Sequence, residues 1–401
     1  MLKSVAVRVF LALLIVGFGG QAVAGLPGET SHSAMGGSTL METTAQFNSW
    51  THWIVNHDDF VELSVGDEGY YGPDKLGSGR GQGTLHWQYS ENSHLLFRVR
   101  QFDLGGQNSN FLWGGTLERP FLSPGFLFER VSGYSAYLEG QMVNLAWARN
   151  LSGGGAFSLG LLYSDAGYKA EDPDDEFNNK SSAFGAQVTW GNGDGFDLAA
   201  SVFNESATWG DTDAEDESSM MNFDLTARFA RDNGWIYQLG FLMGSGSWQE
   251  FEDEEWDLGL MGVTANAGRF LVDNDMTDVT AEFFVHYLSY KEEVGDFEDE
   301  MKATVVPGTR VACRTQLGKR FELMAGANAI WSQMKGTETF EGDEASESER
   351  GMDFYYSGGL AFTPSDNVRI EGQLHMDELN NLLSLGNENQ LLIRVGGTVV
   401  F

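Results

Sequence analysis

The chain ends on residues 394–401, which read RVGGTVVF and alternate between two kinds of side chain. Together with the residues just before them, one face carries Leu391, Ile393, Val395, Gly397, Val399 and Phe401. The other face carries Arg394 and Thr398. A period of two is typical of a β-strand with one apolar and one polar face. The sequence therefore predicts that the chain finishes in a strand whose apolar face meets an apolar environment.

The same residues resemble the C-terminal β-signal of Gram-negative outer-membrane proteins. The match consists of polar Arg394, Gly396 two positions later, hydrophobic Val399, and aromatic Phe401 as the last residue. The resemblance implies recognition by the barrel-assembly machinery and location in the outer membrane of a Gram-negative bacterium. Beyond residue 24 the chain resembles the porin-like superfamily of barrels, although it matches no particular porin family.

The first 24 residues have the pattern of a secretory signal peptide. Lys3 and Arg8 accompany an apolar run from Phe10 to Phe18, and Ala22-Val23-Ala24 fits the small-x-small pattern ahead of a cut before Gly25. The run is too short for a transmembrane helix, and no later stretch of about 18 apolar residues follows. We therefore expect an exported chain that would cross a membrane, if at all, with strands.

The composition favours many strands joined by tight turns, because Gly is 51 of 401 residues, Pro only 7, and aromatics are 13%. A mean hydropathy of -0.25 suits a membrane barrel, in which only alternate residues face lipid. The single cysteine, Cys313, excludes an internal disulfide framework and reads as a small apolar strand residue. A formal charge of -34 argues against a nucleic-acid partner.

Two kinds of connection alternate along the chain. Short Gly/Asn/Asp/Ser turns lie at Ser90–Ser93, Asn150–Gly155, Gly191–Gly195, Arg231–Gly234, Leu317–Arg320 and Pro364–Asn367, with a somewhat longer one at Phe270–Asp278. Long acidic connections lie at Asp165–Lys180, Glu205–Ser219, Glu250–Trp256, Lys291–Lys302 and Lys335–Asp353. Outer-membrane barrels have short periplasmic turns and longer external loops. We therefore predict that the acids form loops outside the cell.

The segments between these connections show period-two patterning and predict an all-β, antiparallel, up-and-down transmembrane barrel over residues 58–401. About sixteen strands are expected, near 58–66, 83–90, 94–103, 141–149, 155–164, 182–190, 196–204, 221–230, 235–248, 257–269, 278–290, 304–317, 321–333, 354–363, 368–377 and 391–401. Residues 104–140 are a candidate constriction loop, or one more hairpin that would make eighteen strands. Residues 25–57 are either a periplasmic lead or a partial plug.

Charged residues on the predicted inward faces would line the lumen. These pore-lining candidates are Arg98, Arg100, Arg228, Arg310, Arg314, Arg369, Arg394, Asp224, Glu282, Glu322 and Glu371, with Asp197 on the same kind of face. Opposed rows of arginine and carboxylate side chains across a narrow pore filter solutes by charge and size. The alternative for each residue is a pair on adjacent strands that only lines the wall.

The leading hypothesis is a porin-like channel for passive diffusion of small hydrophilic solutes. The alternatives are a structural or surface-interaction barrel with a plugged lumen, and a substrate-specific transporter, which an apolar ladder in the wall would favour. No catalytic motif such as GxSxG or HExxH is present, so we expect no enzyme. No cofactor is expected beyond loose divalent cations at the acidic loops. Expected partners are membrane lipid and lipopolysaccharide, the barrel-assembly machinery, small solutes and copies of the chain in a homotrimer.

Overall fold

A computed structural model describes residues 27–35, 37–66, 81–104, 138–167, 180–211, 214–249, 255–340, 343–374 and 392–401. The strands are β1 Phe60–Gly66, β2 Gly81–Ser90, β3 Ser93–Leu104, β4 Leu138–Asn150, β5 Ala156–Gly167, β6 Lys180–Gly191, β7 Phe196–Asp211, β8 Ala214–Ala230, β9 Trp235–Gln249, β10 Glu255–Asn274, β11 Thr277–Val294, β12 Phe297–Gln316, β13 Phe321–Phe340, β14 Asp343–Ser365, β15 Val368–Leu374 and β16 Leu392–Val400. Before them lie one α-helix, α1 Glu29–Ala34, and two 3₁₀ helices, η1 Thr44–Asn48 and η2 Thr51–Asn56.

The strands form one closed antiparallel barrel in which each pairs with its sequence neighbours. Closure comes from β1 and β16, whose register runs from Phe60↔Val400 to Gly66↔Arg394. The predicted barrel of sixteen strands is therefore confirmed, and it closes without the extra hairpin of the eighteen-strand alternative. Most of the candidate constriction loop, residues 105–137, lies outside the described residues, as does the predicted signal peptide.

The outward faces form an apolar band, because alternate residues with large hydrophobic side chains are exposed there. Examples are Phe97, Leu145, Leu159, Phe184, Leu239, Phe241, Phe283, Leu323 and Leu360. At the end that carries the short turns, aromatic rings on neighbouring strands contact one another, among them Trp147–Phe157, Trp190–Phe196 and Phe321–Phe362. An apolar band bounded by aromatic rings is the outer surface of a barrel that sits in a lipid bilayer.

Where the structure describes the acidic connections, they are strand rather than loop for most of their length, which corrects one prediction. Strands β13 and β14 pair from Phe321↔Phe362 up to Phe340↔Asp343, so nearly all of Lys335–Asp353 is hairpin. Strand β11 likewise continues to Val294 and β12 begins at Phe297. High polarity suggested loops, but alternating Ser, Thr and Glu side chains pair well in a solvated hairpin. The long hairpins extend past the roughly ten residues that a bilayer needs.

The described helices are short and belong to the N-terminal part of the chain. None of the helices in the described ranges has the length and apolar character needed to span a bilayer.

Candidate functional site

The interior of the barrel holds the N-terminal part of the chain, residues 27–59, which we call the luminal segment. Helix α1 lies against β13 to β16, and η2 lies against β3 to β6 on the other side. Most of its described side chains are buried, including polar ones such as Ser31, Thr44 and His52. Buried polar groups need partners, and the wall of the barrel supplies them.

The first anchor of the luminal segment is Glu371 on β15. Its carboxylate accepts hydrogen bonds from the backbone N–H of Gly28 at 3.0 Å, and from the N–H and hydroxyl of Ser31 at 3.0 and 2.5 Å. Arg369 donates from Nε to the same carboxylate at 2.5 Å and from Nη2 to Glu322 at 2.6 Å. The charge of Glu371 is therefore balanced within the wall, and the segment contributes only neutral donors.

The second anchor is Glu282 on β11, which is built in the same way. It accepts from the hydroxyl of Ser38 at 2.6 Å and from the hydroxyl and N–H of Thr39 at 2.6 and 3.2 Å. Its positive neighbour is Arg310 on β12, whose Nη1 lies 3.4 Å from Glu282. The same Nη1 donates to the backbone carbonyl of Gly37 in the luminal segment.

Two further wall carboxylates also hold the luminal segment. Glu62 on β1 accepts from the hydroxyl of Thr44 at 2.6 Å, and Arg98 donates to the Thr44 carbonyl at 2.7 Å. Asp197 on β7 contacts His52 Nε2 at 2.9 Å and pairs with Arg228 at 3.0 Å. The guanidinium of Arg228 also stacks over the ring of Trp53, 4.8 Å from its centroid.

The composition of the luminal segment matches this mode of attachment. Residues 27–59 contain nine Ser or Thr residues and neither Lys nor Arg. The positive charges of the anchors all belong to the wall. The segment therefore meets the charged wall with neutral donors and with backbone carbonyls that accept from wall arginines, and these contacts are of the kind that water can replace.

Wall glycines let the segment approach the strands closely. A Cβ at Gly396 on β16 would lie 2.6 Å from the hydroxyl oxygen of Thr30. A Cβ at Gly359 on β14 would lie 2.7 Å from the Cβ of Ala34. Both distances are too short for non-bonded atoms, so helix α1 fits only because these wall positions lack side chains.

One ionisable pair closes the segment on itself near β1. His57 Nε2 lies 2.9 Å from Glu42 Oε1, and the Glu42 side chain is about half exposed, at 49%. The hydrogen bond to His57 lowers the pKa of Glu42, and Arg228 and Arg314 act in the same direction against the opposing effect of burial. Glu42 is therefore an ionised acceptor at neutral pH.

The predicted pore-lining residues all lie on the inward faces of their strands. Six of them touch the luminal segment directly, namely Arg98, Arg228, Arg310, Arg369, Glu282 and Glu371. Arg314 pairs with Asp278 at 2.5 Å instead, Glu322 pairs with Arg369, and Arg394 donates to Ser64. Arg100 lies on β3 and Asp224 lies on β8. Their role in lining an open pore stays a prediction.

Sequence reasoning missed Glu62 and the hydroxyl side chains of the luminal segment as functional residues. The signal that was present is the high content of Ser and Thr, without Lys or Arg, in a stretch that lacks strand pattern.

The inward face also carries an apolar strip, on β8 to β13 and towards the long hairpins. It consists of two apolar clusters. One has Met220, Leu242, Leu258, Leu260, Leu288, Tyr290 and Ala303, with Trp248, Met301 and Met334 packed against it, and the other has Phe284, Val305 and Ile330. The buried His286 lies on the same face of β11, between Phe284 and Leu288. At its outer end Trp248, Trp256 and Phe297 contact one another, with ring centroids 5.2 and 5.4 Å apart. Such a strip is unexpected in a water-filled pore, where inward faces are polar.

No group of three His, Cys, Asp or Glu side chains in the described ranges is arranged to hold a metal ion. The expected loose divalent cations therefore have no built site among those residues.

A closed barrel with an apolar outer band, a polar lower lumen and a buried luminal segment defines the class of this protein: it is a β-barrel of the Gram-negative outer membrane. No family model matches the chain, and no curated protein matches it either.

Several solved structures are remotely similar to the chain. A bacterial polysaccharide outer membrane secretin is 9% identical, with 86% of this chain and 98% of that chain covered and a TM-score of 0.39. CdiB from Escherichia coli is 10% identical over 86% of this chain and 63% of that chain, with a TM-score of 0.43. The FrpB iron transporter from Neisseria meningitidis is 8% identical over 90% and 84%, with a TM-score of 0.36. Their names say nothing about the solutes of this chain.

Proposed function

We propose that this protein carries small solutes with an apolar body across the outer membrane, and that its luminal segment closes the pathway at the periplasmic end. The observation that carries the proposal is the apolar strip on the inward face of β8 to β13. Neither catalysis nor a cofactor is part of the proposal.

The strip argues against a general aqueous pore on energetic grounds. Leaving a Leu, Met or Phe side chain in water rather than burying it costs about 1.5–3 kcal/mol. The side chains of the strip are 0–8% exposed in this structure. Opening a water-filled passage beside them would therefore carry that cost, whereas passage of an apolar solute would not. The inward face of β4 and β5 includes the polar residues Asn144 and Ser164 beside the apolar Leu162. The lumen is therefore suited to solutes with one apolar and one polar side.

The luminal segment supports gated rather than open passage. Its contacts with Glu371 and Glu282 are hydrogen bonds from hydroxyl and N–H groups, each contributing about 1.5–3 kcal/mol net, the range for bonds to charged groups, because water makes similar bonds. The wall arginines keep both carboxylates paired when the segment shifts. Together these hydrogen bonds hold the luminal segment in the lumen. Each of them can be exchanged singly for a hydrogen bond to water.

Uptake into proteoliposomes tests the proposal. After entry into protein-free liposomes is subtracted, we expect the wild-type protein to admit phenol faster than the similarly sized sugar xylose. The double variant L260Q/L288Q, which makes the strip polar, should lose most of that preference. The matched control is L162Q, the same exchange at an inward position on the opposite wall, and it should keep the preference. Equal phenol and xylose rates in the wild type would contradict the proposal.

A second candidate is the porin-like channel for small hydrophilic solutes. It is favoured by the eleven inward charged residues, which would line a hydrated lumen after movement of the luminal segment. In the same assay this function predicts xylose entry at least as fast as phenol entry. A barrel that is permanently plugged and serves a structural role predicts entry of neither solute.

A further inference from the structure

Arg310 lies where the apolar strip meets the luminal segment. Its Nε donates to Asn328 on β13 at 3.0 Å, and its Nη1 faces Glu282 and the carbonyl of Gly37. The guanidinium carbon lies 5.6 Å from the ring centroid of Phe284, which packs with Val305 and Ile330 at the near end of the strip. Arg310 therefore contacts both the luminal segment and the apolar strip.

One donor of this guanidinium is left over. Nη2 of Arg310 is buried and has no hydrogen-bond partner among the described residues, while the side chain as a whole is 0% exposed. A buried donor without an acceptor is costly, and native proteins rarely leave one without a purpose. The leftover N–H is consequently a ready point of attachment for an acceptor that the wall itself does not provide.

The wall beside this donor is shaped by Phe284 and Gly308. A Cβ at Gly308 would lie 1.9 Å from Cε2 of Phe284, so the ring covers the bare backbone of β12. Any side chain at position 308 would push the ring away. The result is a buried aromatic ring directly next to a buried polar N–H group.

We infer that Arg310 Nη2 is the polar contact for a solute held at the near end of the apolar strip. The inference rests on the proposed function and names its substrate class: apolar or aromatic molecules that carry one neutral oxygen acceptor, such as a carbonyl. The charge balance between Arg310 and Glu282 favours a solute whose acceptor is neutral. Arg310 and Glu282 already form a neutral pair in which both side chains are 0% exposed, and a solute carboxylate would add an uncompensated buried charge.

Three ring-matched probes test the inference on the full-length protein in nanodiscs, with empty nanodiscs subtracted, by isothermal titration calorimetry. Acetophenone has a carbonyl, ethylbenzene has no acceptor, and benzoate is an anion. In the wild type we expect acetophenone to bind about tenfold tighter than ethylbenzene, the size of a hydrogen bond to a charged donor. Benzoate should bind no tighter than acetophenone.

The variant R310M/E282Q removes the donor together with its counter-charge, so no unpaired carboxylate remains. It should bind acetophenone and ethylbenzene equally. The control R314M/D278N makes the corresponding exchange at the next inward arginine pair on β12, and it should keep the preference. Heat-modifiable migration in gels reports folding of each variant, and R310Q replaces the double variant if that one does not fold.

The outcomes separate the two claims. A preference for acetophenone that survives in R310M/E282Q, or is absent from the wild type although ethylbenzene binds, overturns the inference alone. Tighter binding of benzoate overturns the choice of a neutral acceptor. Binding of none of the three probes to the wild type overturns the proposed function as well.

Discussion

Glu371 shows how single residues hold the luminal segment in place. Its carboxylate accepts from two residues of the segment and from Arg369 of the wall. Charge-assisted hydrogen bonds are stronger than neutral ones. For the attachment of the luminal segment, the charge of Glu371 should therefore matter more than the shape of its side chain. Position 371 is therefore where a change of one atom has a measurable effect.

The variant E371Q should weaken the attachment of the luminal segment, because an amide is a poorer acceptor for Gly28 and Ser31 than a carboxylate. We expect more frequent open events in planar-bilayer recordings than for the wild type. The matched control is E300Q, the same exchange on the outward face, where Glu300 pairs with Lys302. Recordings in which E371Q and E300Q are indistinguishable would argue against a role for the anchor.

Glu42 predicts a dependence on pH. Its pKa is lowered from the usual 4.5, mainly by the hydrogen bond to His57. A lowered carboxyl pKa stabilises the folded arrangement above the usual value, and that contribution is lost as the pH falls through the lowered value. Recordings between pH 7 and pH 3 should therefore show more frequent opening at the acidic end.

The variant E42Q identifies the source of that pH dependence. It should reduce the change between neutral and acidic pH and leave the remaining, smaller change from other carboxylates. An unchanged pH profile in E42Q would show that the Glu42–His57 pair does not control the segment.

At the level of elements, the luminal segment and the barrel wall follow different rules. The strands keep a period of two and pair with their neighbours, so their positions were predictable from local sequence. The segment has short helices and no such period, and its partners are 340 residues away in the case of Ser31 and Glu371. No local pattern encodes a contact over that distance, which is why its docking could not be derived from the sequence.

The same contrast explains which properties of the pore-lining candidates could be predicted. The inward positions of the arginines followed from alternation along strands such as β12 and β15. The hydrogen-bond partners of these arginines did not follow from it. A carboxylate on an inward face can be solvated or can bind another residue, and the sequence does not distinguish the two. The acidic hairpins were read as loops for a related reason: polarity alone does not separate a solvated strand from a loop.

Deletion of residues 30–56 tests the segment as an element. The barrel should still close, because β1 to β16 pair without the segment, and conductance should rise severalfold. Heat-modifiable migration checks folding, and planar-bilayer recording checks conductance. A deletion variant that folds and conducts no better than the wild type would mean that the segment does not limit passage.

At the scale of the whole molecule, the end of the chain completes the barrel. Val399 pairs with Val61, and the backbone N–H of Phe401 donates to the carbonyl of Asp59 at 2.9 Å. The Phe401 ring is 61% exposed on the outer surface. The residues of the predicted assembly signal are thus at the junction of the first and last strands, whereas their recognition remains a prediction.

Removal of Phe401 should lower the amount of assembled barrel in the outer membrane several-fold, if the terminal aromatic is read by the assembly machinery. The matched control is F321A, which removes another exposed aromatic, 53% exposed, at the same end of the barrel. Both are quantified as the heat-modifiable fraction in isolated outer membranes. An equal loss in the two variants would mean that assembly depends on exposed aromatic side chains in general and not on the C-terminal signal.

The attachment of the luminal segment directly before β1 has a consequence for the timing of biogenesis. The residues that emerge first during export, such as Ser31 and Ser38, have their binding partners at Glu371 and Glu282, which emerge among the last. The first part of the chain must therefore wait, unfolded and soluble, until the final third has arrived. A stretch free of Lys and Arg is well suited to that delay, since it has no Lys or Arg side chain that would hold it to an acidic membrane surface in the interval.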